Sequence, residues 1–162
     1  MALSAPEPLS ADDDIGAFDC GNDLLNDWLR DQALRSEGRS ARTYVVKDGA
    51  RVAGYYCLAT GGVAREGVPR KIRQGLPRLV PVIVLGRLAV DLRYQRLGIG
   101  RGLLKDALPR TLQVSREVDV RALLVHAIDD EAKAFYAAHG FIEFPARART
   151  LFLPVEPIAR GL

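Results

Sequence analysis

The segment Arg93-Tyr94-Gln95-Arg96-Leu97-Gly98-Ile99-Gly100-Arg101-Gly102 packs three glycines and three arginines into ten residues. It follows Val82 to Val90, an almost continuous run of Val, Ile, Leu and Ala that reads as a strand buried on both faces. It leads into Ile99, Leu103, Leu104, Ala107, Leu108 and Leu112, which have helical spacing. A strand feeding a glycine turn that opens a helix gathers backbone N–H groups at the positive end of the helix dipole. Without Cβ atoms the turn lets a pyrophosphate approach the main chain, and Arg96 and Arg101 add charge there. Gly-x-Gly by itself is equally at home in a plain tight turn. Two familiar phosphate loops do not fit: no third glycine stands three residues after Gly100, and no Gly-Lys-Ser/Thr occurs.

Few other residues offer reactive chemistry. His126 lies on a second apolar strand, Ala122 to Ala127, and His139 sits at a helix end. A role for His126 as a base acting through water competes with that of a hydrogen-bonded strand histidine, the commoner arrangement. Cys20 and Cys57 make neither a metal-ligand cluster nor a disulfide framework, so both read as half-buried thiols and no metal site is expected.

Local signals give the elements that must position these groups. Asn22 or Asp23 caps a first helix whose apolar stripe is Leu25, Trp28, Leu29 and Gln32. Thr43 to Lys47 and Arg51 to Thr60, rich in β-branched and aromatic residues, flank Asp48-Gly49, a hairpin signal. Residues 64 to 79 contain Gly67, Pro69, Gly75 and Pro77 and read as a loop with at most a short helix. Pro109 is expected to kink the helix after the glycine turn or to end its regular part. Asp129 or Asp130 caps a helix running through Phe135 and Tyr136 to His139, with Gly140 at its C′ position. Phe141 to Phe144 and Thr150 to Leu153 close the chain as short strands. The order is that of an α/β fold in which helices flank a mixed central sheet, in one domain over residues 1–162.

At 162 residues, 48% hydrophobic and 27% charged, the chain suits a single globular core. No segment reaches the roughly 20 apolar residues that a bilayer needs, and the acidic start lacks a leader pattern, so the chain reads as soluble and cytoplasmic. The net charge of +3 is unevenly spread. Residues 1–40 carry 9 acidic and 3 basic side chains, residues 41–110 carry 4 and 14, and residues 111–162 carry 7 and 6. The middle of the chain therefore holds a face suited to a polyanion.

Gln95-Arg96-Leu97-Gly98-Ile99-Gly100 resembles the Gln/Arg-x-x-Gly-x-Gly/Ala signature of the GNAT N-acetyltransferases, whose loop holds the pyrophosphate of acetyl-CoA. The likeness extends over nearly the whole chain. Phe18-Asp19-Cys20-Gly21 with Leu24, Leu25, Trp28 and Leu29, then Gly86-Arg87-Leu88-Ala89-Val90-Asp91, Leu124-Val125-His126-Ala127 and Ala132-Lys133-Ala134-Phe135-Tyr136 with Gly140-Phe141, resemble the GNAT toxins of type II toxin-antitoxin modules. Those enzymes acetylate the α-amino group of aminoacyl-tRNA and block translation.

The resemblance implies a GNAT fold with acetyl-CoA bound at the splay between the two central strands. It implies Tyr136 as the catalytic acid toward the departing thiolate. It also implies acetyl-CoA contacts from Leu88, Ala89 and Val90, from Gln95, Arg96, Leu97, Gly98, Ile99, Gly100 and Arg101, and from Phe135. Many GNAT enzymes use a glutamate base; Leu88-Ala89-Val90 offers none, which favours an α-amine, of pKa about 7.7 to 8.0, over a lysine near 10.4. Family members often carry an asparagine after the second central strand, where Ile128-Asp129-Asp130 stands here and favours capping. Arg65, Arg70, Lys71, Arg73 and Arg78, with Arg87, Arg93 and the series Arg35, Arg39 and Arg42, are the residues expected to meet tRNA, since arginine binds phosphate bidentately and stacks on bases. Expected partners are a ribbon-helix-helix antitoxin that carries operator DNA, and a second copy in a homodimer. The alternative is a GNAT enzyme acting on a small amine or a protein amino group.

Overall fold

The computed structural model describes residues 2–161. Seven strands form a mixed sheet in the order β1-β2-β3-β4-β5-β7-β6, with β1 at Glu7–Pro8, β2 at Arg42–Asp48, β3 at Arg51–Ala64, β4 at Leu79–Val90, β5 at Ala122–His126, β6 at Ile142–Glu143 and β7 at Thr150–Pro154. β4 and β5 pair in parallel, and their register stops at Leu85↔Val125, five residues before β4 ends. The helices are α1 at Asp23–Asp31, α2 at Ala33–Ser36, α3 at Ile99–Glu117, α4 at Asp130–Ala138 and α5 at Val155–Gly161. No helix among the described residues is long and apolar enough to cross a membrane. The chain divides into two compact units: residues up to 59 with 86–107, and residues 60–85 with 108 onward.

In the first unit Asn22 is the cap of α1, its side chain accepting the Leu25 N–H at 3.1 Å. Leu25 and Leu29 are buried on the core with Phe18, Val45, Val52 and Tyr55, and Trp28 packs beside them. Gln32 does not join this stripe. It is exposed because α1 ends at Asp31, and the chain restarts as α2 with Ala33 fully buried in the place expected of Gln32. Asp48 pairs with Arg51 across a turn in which Gly49 takes φ +63°, as the Asp-Gly signal requires. β1, which local sequence gave no reason to expect, pairs with β2 through Glu7↔Val45.

In the second unit β3 continues past Thr60 through two glycines. Gly61 and Gly62 normally weaken a strand, but here the Val84 and Leu79 side chains occupy the space where their Cβ atoms would lie, within 2.8 and 3.1 Å. The glycine- and proline-rich segment that follows makes two 3₁₀ turns, Arg65–Gly67 and Arg70–Ile72, rather than one short helix. Beneath it Val63, Val68, Val80, Val82, Leu124 and Phe152 form a second core. Asp129 caps α4 by accepting the Ala132 N–H at 2.8 Å, and Gly140 follows the helix at φ +91°. α3 runs through Pro109 to Glu117 without ending, since burial of Ala107 and Leu112 on either side compensates for the missing N–H.

One close approach governs the seating of α3. A Cβ on Gly54 of β3 would lie 2.9 Å from Ile99 Cγ2 and 3.2 Å from Leu103 Cδ1, so only glycine lets the first turns of α3 settle on the strand. Gly54→Ala is expected to lower unfolding free energy by about 1 to 3 kcal/mol through overpacking. Denaturant titration checks this, and a loss below about 0.5 kcal/mol would mean that α3 steps back without cost.

Candidate active site

β4 ends where Asp91 turns the chain. The Asp91 N–H donates to the Ala53 carbonyl at 2.9 Å, and its carboxylate is 1% exposed. That carboxylate accepts the Asp19 N–H at 3.0 Å and the Arg93 N–H at 2.8 Å, with the Arg93 Nε at 3.4 Å. Asp19 in turn accepts from Gly21 and Asn26, and these hydrogen bonds hold its carboxyl below the usual range. Gln95 Nε2 donates to the Val90 carbonyl at 3.3 Å and folds the turn back on the strand that precedes it. Arg96 and Gly98 take φ +66° and +81°, and α3 opens at Ile99. Left-handed residues just ahead of a helix turn successive N–H groups toward one side, where the first turn of the helix has no carbonyl partners of its own. Arg96, Leu97, Gly98 and Arg101 are exposed along this turn, while Ile99 is buried as its anchor. A Cβ on Gly100 would lie 3.8 Å from Val90 Cγ2 and 3.9 Å from Leu88 Cδ2, so both side chains face the first turn of α3. Ala89 alternates to the other face, in the core with Tyr55.

In the second unit Tyr136 of α4 is 7% exposed, with ring centroids of Phe135 and Phe141 at 5.3 and 5.5 Å. Burial pushes its phenol above the ordinary value, which keeps the hydroxyl protonated and a donor at neutral pH. Phe135 is held by the His139 ring at 4.6 Å, and His139 Nδ1 lies 2.8 Å from the Phe135 carbonyl oxygen. His126 Nδ1 lies 3.2 Å from Thr150 Oγ1 on the paired residue of β7. Burial, and after it the charge of Arg147, lower the His126 pKa, so the ring is mostly neutral at pH 7.

The basic side chains divide into those bound into the fold and those left to solvent. Arg73 donates to the Val68 carbonyl from Nε and Nη2 and to the Glu66 carbonyl from Nη2, and Arg65 reaches the Leu76 carbonyl. Both brace the two 3₁₀ turns, a task that net charge along the sequence does not distinguish from ligand binding. Arg93 pairs with Asp91 and reaches the Ala17 carbonyl. Arg70, Lys71 and Arg78 are exposed on the same segment as Arg73, and Arg35, Arg39 and Arg42 are exposed around α2 and the start of β2. Arg42 meets Glu37 at 3.7 Å, a surface pair of little energetic weight. Arg87 is half-buried and lies 4.2 Å from the Trp28 ring centroid. Sequence reasoning missed Asn26, whose buried amide joins Asp19 to Cys20, because nothing in the chain marks it apart from its neighbours. Gly54 did carry a signal, as an isolated glycine within a strand pattern.

The acetyltransferase (GNAT) domain family matches residues 39–143 of the chain. The chain belongs to the GNAT acetyltransferases. A tRNA-acetylating toxin of Mycobacterium tuberculosis is 43% identical over 160 residues, which cover 98% of this chain and 96% of that protein. Among solved structures, AtaT complexed with acetyl-methionyl-tRNAfMet is 30% identical, with a TM-score of 0.91 and 99% of each chain covered. A mutant AtaT toxin bound to the C-terminus of the antitoxin AtaR and to acetyl-CoA is 28% identical, with a TM-score of 0.84, covering 100% of this chain and 99% of that one. As a GNAT acetyltransferase, this chain transfers acetyl from acetyl-CoA.

The Asp91 carboxylate ties the turn to the N-terminal segment, so its loss should be felt in cofactor affinity. Asp91→Ala is expected to cost about 2 kcal/mol of stability and to weaken acetyl-CoA binding about tenfold. Arg93→Ala, which removes only the half-exposed partner, should do far less. Denaturation and calorimetry compare the two, and an unchanged acetyl-CoA affinity in Asp91→Ala would contradict the role.

Proposed function

We propose that this GNAT acetyltransferase is the toxin of a type II toxin-antitoxin module and acetylates the α-amino group of aminoacyl-tRNA, blocking translation. The observation that carries the reading is 43% identity, over nearly the full length of both chains, to a tRNA-acetylating toxin. A neighbour of the same fold complexed with acetyl-methionyl-tRNA supports the same acceptor.

In this reading the glycine turn from Gln95 to Arg101 holds the pyrophosphate of acetyl-CoA with its N–H groups and arginines. The main chain of Leu88 and Val90 pairs with the pantetheine amides in the manner of an added strand, with Ala89 between them, and an N–H there polarises the thioester carbonyl. Phe135 offers the cofactor an aromatic edge. The neutral α-amine attacks the thioester carbon, the C–S bond breaks, and the thiolate takes the hydroxyl proton of Tyr136. The new amide sheds its extra proton to solvent and Tyr136 is reprotonated from it. No carboxylate base is required, because an α-amine of pKa about 7.7 to 8.0, lowered further by esterification of its carboxyl, is substantially neutral at pH 7. His126, neutral and hydrogen-bonded to Thr150, serves as a strand histidine.

Tyr136 is held protonated by burial, so its donor form persists through the neutral and mildly alkaline range. The tRNA contacts fall to the exposed Arg70, Lys71, Arg78, Arg35, Arg39 and Arg42, with Arg87; Arg73 and Arg93 are engaged within the fold and serve chiefly to shape that surface. The antitoxin partner is of the ribbon-helix-helix kind and brings operator DNA, and two copies of the toxin pair as a homodimer. All of residues 1–162 act as one acetyltransferase domain.

Tyr136→Phe should lower kcat for acetylation of charged tRNA by about 100-fold or more while leaving the unfolding midpoint within a few degrees of the parent. For the parent, kcat/KM should rise between pH 6 and 8 as the amine loses its proton, then stay level to about pH 9, since the raised phenol pKa leaves no alkaline loss there. A falling limb below pH 9, or full activity in Tyr136→Phe, would contradict the assigned acid.

A further inference from the structure

Arg87 stands on β4 between Gly86 and Leu88, and its guanidinium lies over the Trp28 ring: the residue is half-buried, with Cζ 4.2 Å from the ring centroid. The indole stacks in turn on Tyr55, with 6.0 Å between centroids and 11° between planes, and the Tyr55 hydroxyl donates to the Leu25 carbonyl at 2.7 Å. Tyr55 has no exposed surface, so the stack rests on the core. The guanidinium makes one hydrogen bond, to the buried Cys57 sulfur at 3.9 Å, a weak acceptor. None of the ion pairs among the described residues includes Arg87. A permanently charged group with five donors, partly withdrawn from water and without a carboxylate, is set up for an anionic ligand.

The faces of β4 decide which anion. Leu88 and Val90 point toward Gly100 and the first turn of α3. Neighbours along a strand alternate, so Arg87 shares the opposite face with Ala89, beside Trp28 of α1. The glycine turn that receives a pyrophosphate opens on the α3 face, and Arg87 is turned away from it.

We propose that Arg87 receives the last phosphodiester of the acceptor strand, the linkage between the final two nucleotides of aminoacyl-tRNA; this rests on the tRNA-acetylating reading above. Trp28 fixes the plane of the guanidinium and leaves its N–H edge for two parallel bonds to phosphate oxygens. Leu88 follows directly on the strand assigned to the thioester, so a phosphate caught by Arg87 brings the ester-linked amino acid to the reacting carbonyl. The contact also selects against free amino acids, polyamines and peptide N-termini, none of which carries that phosphate.

Charged tRNA whose terminal linkage is a neutral methylphosphonate tests the pairing against ordinary charged tRNA, in the parent and in Arg87→Ala. The parent should lose about 10- to 100-fold in kcat/KM on the methylphosphonate, as for loss of a charge-assisted bidentate contact. Arg87→Ala should lose a similar factor on ordinary substrate and be indifferent to the replacement, with an acetyl-CoA Kd within twofold of the parent. Arg87→Lys, which keeps the charge without the planar fork, should recover only part; it and Arg87→Gln carry the same comparison should the alanine variant not fold. A methylphosphonate penalty of equal size in variant and parent would overturn the assignment while leaving tRNA acetylation intact. Failure of the parent to acetylate ordinary charged tRNA would overturn both.

Discussion

The carboxylate of Asp91, buried where β4 ends, fixes the point at which strand becomes turn. Its two oxygens collect N–H groups from Asp19 and from Arg93, and its own N–H is tied to Ala53 of β3. A buried carboxylate demands such donors, and here they come from two separate stretches of chain. Everything that follows in sequence inherits that anchor: the 3₁₀ turn at Leu92–Tyr94, the left-handed Arg96 and Gly98, and the start of α3 over Leu88 and Val90. Gly54 completes the arrangement by letting Ile99 settle on β3, so that α3 is held from below as well as from its entry.

Acyl transfer to an amine asks for two protonation states at once: a neutral nucleophile and a protonated acid. In the proposed reaction Tyr136 meets the second demand by burial among Phe135 and Phe141, where a phenolate would be poorly solvated. The first would be met by the proposed acceptor, because an esterified α-amine needs no strong base at neutral pH. Anion binding follows a different logic. The turn offers main-chain dipoles to the proposed pyrophosphate, whereas the arginines divide between bracing carbonyls, as Arg73 and Arg65 do, and facing outward. The excess of positive charge in residues 41–110 is therefore partly structural and partly available to a polyanion.

Much of this could be read in the chain because the signals are local. Asn22 before Leu25, Asp48-Gly49 between two β-branched runs, Asp129 before α4 and the glycines after β4 each act through their immediate neighbours, and each lies where expected. What escaped depends on contacts distant in sequence. β1 exists only through its pairing with β2, β3 passes Gly61 and Gly62 because Val84 and Leu79 fill their empty faces, and Ala33 displaces Gln32 because α1 ends at Asp31. Pro109 fails to end α3 for the same reason: tertiary burial outweighs one missing hydrogen bond. At the site, the glycine turn and Tyr136 were visible as motifs. The Asp91–Asp19–Asn26 network and the stack of Arg87 on Trp28 were not, since their members are ordinary residues made unusual by where the fold puts them.

The acceptor separates a tRNA-acetylating enzyme from one that acts on other amines. Incubation with labelled acetyl-CoA and a mixed pool of charged tRNAs, polyamines and lysine-rich peptide, followed by nuclease digestion and mass spectrometry, reads it directly. Label is expected on the α-amine of aminoacyl-adenosine released from the tRNA 3′ ends. Label confined to the polyamines or to peptide amines, with the charged tRNAs unmodified, would contradict it.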